Sequence, residues 1–242
     1  MGYLMLLVLR VVLCVYMFVM FHFACLSSSH LCHSQDSSAL LHFKTHFIFN
    51  TSFFEYEYEY ECSHVYPKMS MWENGTDCCS WMGVTCHSVS GHVIGLDLSC
   101  SALVGIRGHL TSHILYLPNL YALKLSGNGN IQVHVPKLNC TTSLSFLDLS
   151  SCQFSGSQIP DSFSNLTQLT FLYLPENGFN GSIPSLLSNL QHLTHLDLSG
   201  NAFTGSFPSF LSNLHHLVYL DLSFNKLSGQ IPNVFDRLTN LQ

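Results

Sequence analysis

The chain has 242 residues, of which 47% are hydrophobic and only 9% are charged, and its formal net charge at pH 7 is −6. This length allows one large domain or two small ones. The acidic balance, without a basic stripe to neutralise phosphates, argues against a nucleic-acid-binding protein, and the mean hydropathy of +0.27 is too low for a polytopic membrane protein.

The first segment has the pattern of a secretory signal peptide. Arg10 precedes the apolar run VVLCVYMFVMF, which has the length of a signal-peptide core and is too short to span a bilayer. Small residues favour cleavage after Ser27 or after Ser29. We therefore predict a signal peptide over residues 1–29, with a retained signal anchor as the alternative, and expect the chain to enter the secretory pathway.

The cysteines and the glycosylation sequons agree with secretion. Cleavage would remove Cys14 and Cys25 of the ten cysteines and leave eight in an oxidising compartment. The candidate N-glycosylation sites are the five Asn-x-Ser/Thr sequons after the signal: Asn50, Asn74, Asn139, Asn165 and Asn180.

The segment QDSSALLHFKTHF predicts an amphipathic helix after the signal peptide. Asp36 or Ser37 is positioned to cap its N-terminus. The residues expected on its apolar face are Ala39, Leu40, Phe43 and Phe47.

The rest of the chain repeats itself about every twenty-four residues. The pattern L-x-x-L-x-L-x-x-N recurs, for example as Leu193, Leu196, Leu198 and Asn201. This period and pattern predict a leucine-rich-repeat solenoid of about six units, with a seventh unit beginning at Leu241. The middle leucines, with spacings of 27, 24, 25, 24 and 24, are Leu96, Leu123, Leu147, Leu172, Leu196 and Leu220.

Each unit begins with a short strand that alternates between buried and exposed side chains. Leu196 and Leu198 would turn inward and His195 outward. The ladder asparagine at the end of the pattern can bond backbone groups that the following bend leaves unpaired, a contribution on the order of 1–3 kcal/mol. Ser101 and Cys152 occupy this position in the first and third units. Since cysteine is an accepted substitute there, Cys152 is predicted to be a buried thiol.

The second half of the third to sixth units resembles the plant-specific class of leucine-rich repeat, whereas the second unit reads NGNIQVHVP and has no glycine at the expected place. An apolar residue, a glycine and an apolar-proline pair follow the asparagine, as in Phe179, Gly181, Ile183 and Pro184. The resemblance implies a second short strand on one flank, and SNL recurs where a short helical turn is expected on the convex side. The predicted fold is an α/β solenoid, a plant-type leucine-rich-repeat right-handed superhelix with an N-terminal disulfide-bonded cap.

The cap is indicated by a constellation of cysteines and tryptophans that resembles the N-terminal cap of plant leucine-rich-repeat receptors. Its members are Cys32, Trp72, Cys78, Cys79, Trp81, Gly83 and Cys86. The resemblance implies the pairings Cys32–Cys78 and Cys79–Cys86, whereas eight cysteines alone would allow 105 connectivities. The pairing of Cys62, Cys100, Cys140 and Cys152 stays open, with a role as disulfide partner as the alternative to a thiol at Cys152. We place the cap domain at residues 30–90 and the repeats at residues 91–242.

The sequence contains no constellation that indicates catalysis. His192-x-x-His195 has no glutamate companion, and its two residues fall on different parts of the strand start, which argues against a metal site. Neither a Gly-rich phosphate loop nor a nucleophile elbow nor a kinase signature occurs. We expect no enzyme activity, no metal and no cofactor.

Binding is the function expected of a curved solenoid, because its concave sheet offers an extended surface. Asp97, Asp148, Asp197 and Asp221 recur at one outward place and are interpreted as a structural ladder. The candidate ligand contacts are other outward residues of the strands and the turns after them, among which aromatic residues are typical of binding hot spots: Tyr121, Lys124, Phe146, Phe171, Tyr173, Glu176, His195, Tyr219 and Phe224.

The chain resembles, within this family, receptor-like proteins of the disease-resistance type, which lack a kinase. The resemblance lies in the extra Cys62 and in the sequences GHVIGLDLSCSAL and LSFLDLSSCQFSG. It implies an extracellular segment of a plant plasma-membrane receptor that recognises a protein or peptide ligand and acts in defence signalling through a partner kinase.

Two alternatives remain at this stage: the ectodomain of a receptor kinase, and a secreted inhibitor of cell-wall-degrading enzymes, similar to polygalacturonase inhibitors. The segment that would distinguish them, and that would hold any membrane anchor, lies beyond residue 242. Because the chain ends where a seventh repeat opens, we interpret it as an N-terminal fragment and expect the leucines of its last repeat to face water.

Overall fold

The repeats build one mainly parallel sheet to which each unit contributes a short strand. The computed structural model describes residues 31–49, 62, 66–105, 114, 117–128, 143–154 and 156–242, which apart from Leu31 belong to one unit, Cys32–Gln242. In chain order the elements are α1 (Ser34–Lys44), β1 (Phe47–Phe49), β2 (Val84–Cys86), β3 (Val93–Asp97), β4 (Leu103–Gly105), β5 (Ala122–Lys124), β6 (Phe146–Asp148), β7 (Phe171–Tyr173), β8 (Asn180–Gly181), β9 (His195–Asp197), β10 (Ala202–Ser206), β11 (Tyr219–Asp221) and β12 (Lys226–Ser228).

The main sheet has the strand order β11-β9-β7-β6-β5-β3-β2. Its neighbouring strands are parallel except for β2 against β3. The register confirms the repeat alignment, because the middle leucines lie opposite one another from Leu96 to Leu220. Leu196 and Leu198 are fully buried, as the alternation predicts.

The flank strands and the helical turns of the repeats are also present. β8, β10 and β12 form a parallel three-stranded sheet. In the third to sixth units a glycine precedes the apolar-proline pair at a positive φ, for example +73° at Gly181 and +88° at Gly205, a conformation that side chains disfavour. The SNL segments close 3₁₀ helices at Asp161–Asn165, Ser185–Asn189 and Ser209–Asn213, and a further one spans Phe235–Arg237.

Asparagine side chains bridge successive repeats as the ladder hypothesis requires. Asn201 is 8% exposed, and its Oδ1 accepts a hydrogen bond from the Phe179 amide at 3.1 Å. Its Nδ2 donates, at 2.8 to 3.1 Å, to the carbonyls of Leu174, Leu198 and Ser199. Asn128, Asn177 and Asn225 make the corresponding bonds in their own units.

Cys152 replaces the asparagine of its unit in the way the sequence predicts. It is a fully buried thiol. Its Sγ lies 3.2 Å from the Leu125 carbonyl oxygen and 3.4 Å from the Ser150 carbonyl oxygen, and its single proton can be donated to either. An asparagine Nδ2 reaches the corresponding carbonyls in the other units. The thiol thus retains the donor half of the ladder.

Three disulfides lie among the described residues: Cys32–Cys78, Cys79–Cys86 and Cys62–Cys100. The first two are the pairings that the family resemblance implies. The third links Cys62 to Cys100, in the turn that follows strand β3 of the first repeat, a pairing that the sequence left open. Gly127 of the next unit makes room for it, because a Cβ there would lie 2.5 Å from Cys62 Sγ. Cys140 lies outside the described residues.

The prediction that Asp36 or Ser37 caps the N-terminus of helix α1 is wrong. The N-cap residue is His33, whose side chain makes no cap hydrogen bond, and Asp36 and Ser37 lie inside the first turn. Asp36 is 1% exposed. Its Oδ2 accepts a hydrogen bond from the Val93 amide at 2.8 Å and lies 3.2 Å from His92 Nδ1. The carboxylate therefore ties α1 to β3.

The apolar face of α1 is shorter than the sequence predicts. Leu40 and Phe43 are fully buried and Ala39 packs partly buried against the same core. Phe47, expected on this face, belongs instead to β1, and its ring lies 4.8 Å from the Phe43 ring. The apolar pattern continues into a strand that pairs antiparallel with β4.

Lys68 joins the cap to the first repeat. Its Nζ lies 3.0 Å from Asp97 Oδ1 and donates to the Asp97 carbonyl at 3.1 Å. Burial would raise the pKa of Asp97, but the Lys68 and Ser99 hydrogen bonds and the Lys68 charge outweigh it and hold that pKa below 3.8.

Replacing Lys68 by methionine is expected to make the free energy of unfolding less dependent on pH under acidic conditions. Because the pKa of Asp97 is depressed in the folded state, the stabilisation is present above the unfolded pKa of about 4 and is lost as the pH falls through the folded value. Urea unfolding at pH 6 and pH 3 measures it. The control Lys44→Met removes bonds to the Ser70 and Trp72 carbonyls only, so it should leave the pH dependence intact. If Lys68→Met lost as much free energy of unfolding between pH 6 and pH 3 as the unaltered chain, the role of Lys68 in lowering the pKa of Asp97 would be contradicted.

The last repeat is less covered than the ones before it. Leu220, Leu222 and Leu227 are partly exposed, whereas Leu196 and Phe203 in the preceding unit are fully buried. This agrees with the exposure expected from the sequence. No helix within the described ranges is long and apolar enough to cross a bilayer.

Candidate functional site

Outward side chains of the main sheet form a row of neighbouring rings. Phe146, Phe171, His195 and Tyr219 occupy one register position on four adjacent strands. Their ring centroids are 5.4 Å apart between Phe146 and Phe171, 4.5 Å between Phe171 and His195, and 6.0 Å between His195 and Tyr219. We call these four residues the aromatic row.

A second row lies two residues further along each strand. It runs through Asp97, Lys124, Asp148, Tyr173, Asp197 and Asp221. Tyr173 packs beside the aromatic row, with its ring 5.7 Å from Phe146 and 6.3 Å from Phe171. Lys124 places its Nζ 5.2 Å from the Phe146 ring centroid. We call this the acidic row, since four of its six members are aspartates.

The aspartates of the acidic row have the structural role that the sequence indicates. Oδ1 of Asp197 accepts hydrogen bonds from the Ser199 amide at 3.0 Å and from the Ser199 hydroxyl at 2.7 Å. Asp148 bonds Ser150 in the same way. Each bond closes the turn after a strand, and each carboxylate still stands at the outer surface.

The remaining candidate residues flank these rows. Tyr121 is 55% exposed immediately before β5, and Phe224 is 85% exposed in the turn after β11. Glu176 and Phe224 lie in the left-handed region, at φ of 51° and 52°. All six units place a residue there, just before the ladder position: Cys100, Gly127, Ser151, Glu176, Gly200 and Phe224.

A lateral groove of about 1,040 Å³ borders the sheet, and no motif in the sequence predicted it. Its wall contains Ser145, Thr170 and Thr194, each two residues before a middle leucine, and these side chains bond one another or the preceding backbone. This recurrence of small polar residues is the signal that could have revealed it. The wall also holds His192, whose partner in the discarded metal motif, His195, lies in the aromatic row.

Two groups of potential metal ligands occur among the described residues. The sulfurs of Cys32, Cys78 and Cys79 are already used in disulfides. In the second group, His33, Asp36 and His92, the two imidazole rings stack with centroids 4.3 Å apart and an interplanar angle of 28°. The Asp36 carboxylate of this group is already engaged by the Val93 amide.

The sequons in the described part of the chain avoid the main sheet. Asn74 is exposed in the cap, Asn165 is exposed at the end of a 3₁₀ helix, and Asn180 is half-buried in β8. Their glycosylation remains a prediction. Asn50 and Asn139 lie outside the described residues.

The chain is similar to curated plant receptor-like proteins. Receptor-like protein 9DC1 of Solanum pimpinellifolium is 40% identical over 121 residues, which are 48% of this chain and 14% of that protein. Receptor-like protein 43 of Arabidopsis thaliana is 47% identical over 100 residues, or 41% of this chain and 14% of that protein. The chain thus spans a small part of the length of these relatives.

Solved structures with this fold include plant ectodomains. The structure of the Arabidopsis receptor kinase HAESA, in complex with the peptide hormone IDA and the co-receptor SERK1, aligns with a TM-score of 0.57 and 26% identity, over 86% of this chain and 37% of that one. A plant ice-binding protein aligns with a TM-score of 0.52 and 27% identity, over 86% of this chain and 53% of that one.

Two family models match the chain. A leucine rich repeat N-terminal domain matches residues 33–55 and 63–87, and a leucine-rich repeat region matches residues 117–242. Neither model describes a catalytic domain. Since the repeat model covers more than half of the sequence, the chain belongs to the leucine-rich-repeat family, with plant receptor-like proteins among its relatives.

Proposed function

We propose that this chain is the extracellular ligand-recognition segment of a plant cell-surface receptor-like protein that binds a protein or peptide on the main sheet. The observation that carries the proposal is the aromatic row, which continues across four repeats on the outward side of the sheet. Aromatic side chains offer large contact areas at little entropic cost and are enriched at binding hot spots.

Two further observations support this face. The sequons of the described residues lie elsewhere, so attached glycans would leave the sheet accessible. HAESA, which is similar in fold and 26% identical, was solved with a peptide hormone and a co-receptor. By analogy, the ligand of this chain would be a peptide. A partner kinase would transmit the signal in defence, as the resemblance to receptor-like proteins of the disease-resistance type implies.

Replacing Phe171 and Tyr219 together by alanine is expected to weaken ligand binding at least tenfold, because each ring lost from a hot spot is worth on the order of 1 kcal/mol or more. The glycosylated chain is incubated with peptides from plant extracellular fluid, retained peptides are identified and synthesised, and their affinities are measured.

The matched control is Leu186→Ala, which removes an apolar side chain that is 44% exposed in the 3₁₀ helix Ser185–Asn189, outside the sheet. It should bind as the unaltered chain does. Equal affinities for the sheet variant and the control would contradict the proposed site.

A further inference from the structure

The acidic row has an uncompensated negative end. Asp197 and Asp221 lie directly opposite each other on the adjacent strands β9 and β11. Strands are about 4.8 Å apart, and like charges in such a cross-strand pair destabilise a sheet. Within the described ranges, neither of these two carboxylates forms an ion pair with a Lys or Arg. The lysine salt bridge of this row is the one between Lys68 and Asp97.

The nearest cation of the row is too far away to neutralise this end. Lys124 lies on β5, separated from β9 by β6 and β7, and three strand spacings amount to about 14 Å. Its ammonium lies over the Phe146 ring. Charges further apart than a Debye length of about 8–10 Å are largely screened in water.

Two tyrosine residues neighbour the pair of carboxylates, and the hydroxyl of Tyr219 donates a hydrogen bond to Asp221 Oδ2 at 3.4 Å. Tyr173 lies opposite Asp197 in the acidic row, and Tyr219 begins the strand that carries Asp221. Burial first, and then the charges of Asp197 and Asp148, raise the pKa of Tyr173. Burial, followed by Asp197 and Asp221, likewise raises the pKa of Tyr219. Both phenols therefore stay neutral while they experience a negative potential.

The carboxylates are held in place by the fold. Their Oδ1 atoms accept hydrogen bonds from the amides of Ser199 and Ser223. The Ser223 hydrogen bonds also keep the pKa of Asp221 below its ordinary value, so this group stays charged at mildly acidic pH. In the part of the chain that the structure describes, Oδ2 of Asp197 accepts no hydrogen bond and remains available to a ligand.

We propose that the ligand of the main sheet is a peptide segment whose arginine or lysine side chain docks at Asp197 and Asp221 against the rings of Tyr173 and Tyr219. This inference rests on the proposed function and adds the chemistry of the ligand. A guanidinium can stack on a phenol ring while it donates two hydrogen bonds to one carboxylate. Lys124 shows that a ring of this face already accepts a cation.

The test compares two labelled peptide pools that differ only in one fixed residue, arginine or its neutral isostere citrulline. Fluorescence anisotropy with the full glycosylated chain measures binding. The unaltered chain is expected to bind the arginine pool at least tenfold more tightly. The double variant Asp197→Asn with Asp221→Asn retains Oδ1 acceptors for the turns. In this variant the ratio of the affinities for the arginine and citrulline pools should fall to about two or less.

The charge-matched control is Asp161→Asn with Asp236→Asn, two exposed acids outside the sheet. It removes the same net charge and should keep the tenfold preference. Equal binding of both pools, no binding of the arginine pool, or an equal loss in the control would overturn the inference.

The two proposals can fail separately. If both pools bind equally and the Phe171→Ala, Tyr219→Ala variant loses both, the proposed function stands and the basic side chain is excluded. If the arginine preference persists in that variant but disappears in the double Asp→Asn variant, the carboxylate pair stands as the docking point, whereas stacking on Tyr219 and binding on the aromatic row are both excluded.

Discussion

Replacing Gly83 by alanine is expected to lower the free energy of unfolding by about 4 kcal/mol, the sum of a left-handed backbone penalty and a collision. Gly83 has a φ of +84°, and its Cβ would lie 2.4 Å from the Asp97 carbonyl oxygen. That carbonyl is backbone of β3 and cannot rotate away. The Gly83 carbonyl also accepts the Asp97 amide at 2.7 Å, so a shift would break the join between the cap and the first repeat.

Gly75→Ala is the matched control for this prediction. Gly75 has nearly the same φ, +85°, but nothing lies within 4 Å of its Cβ. It should lose only the backbone penalty, about 1–2 kcal/mol. Urea unfolding followed by circular dichroism measures both variants. Equal losses would show that the collision at Gly83 is relieved at no cost.

Replacing Asn201 by alanine is expected to destabilise the chain by about 3 kcal/mol, because buried backbone groups in two repeats lose their partner. The Phe179 amide loses its acceptor, and the carbonyls reached by Nδ2 lose a donor. Calorimetry or urea unfolding measures the loss. In contrast, Asn233→Ala removes one exposed hydrogen bond to Asp236 and should cost well under about 1 kcal/mol.

The variant Asn201→Cys separates the hydrogen bonds that the Asn201 side chain donates from the one that it accepts. The structure of the Cys152 unit shows that a thiol reaches the same kind of carbonyls, so the cysteine variant should retain part of the stability that alanine loses. The missing part is the acceptor for Phe179. A cysteine variant as unstable as the alanine variant would mean that the thiol bonds contribute nothing.

The sequence predicts the repeated part of this fold well, because every unit states the same physical requirement. Leu172 and Leu196 must face inward on every strand that carries them. Asn177 and Asn201 must bond the backbone amides and carbonyls that the bend leaves unpaired. Agreement among six units removes the ambiguity that one unit would leave. The aromatic row follows from the same register, since Phe171 and His195 share one outward place.

The cap was predicted less completely because its contacts do not repeat. Asp36 has the sequence context of a helix cap, yet its carboxylate bonds Val93, 57 residues further along the chain. Cys62 and Cys100 are separated by 38 residues, and no local pattern selects that pairing. The sequence does not predict the lateral groove for another reason. Ser145 and Thr170 line its wall, but small polar residues that recur in this way do not form a recognised motif.

The left-handed residue before each ladder position has a consequence for how such a surface can evolve. Two units hold glycine there, but Glu176 and Phe224 carry about 1–2 kcal/mol of strain each. That penalty comes from the Cβ and hardly depends on the side-chain atoms beyond it, β-branched residues aside. One protruding side chain can therefore replace another at nearly constant stability, so the outer chemistry of the solenoid can diversify while its framework is conserved.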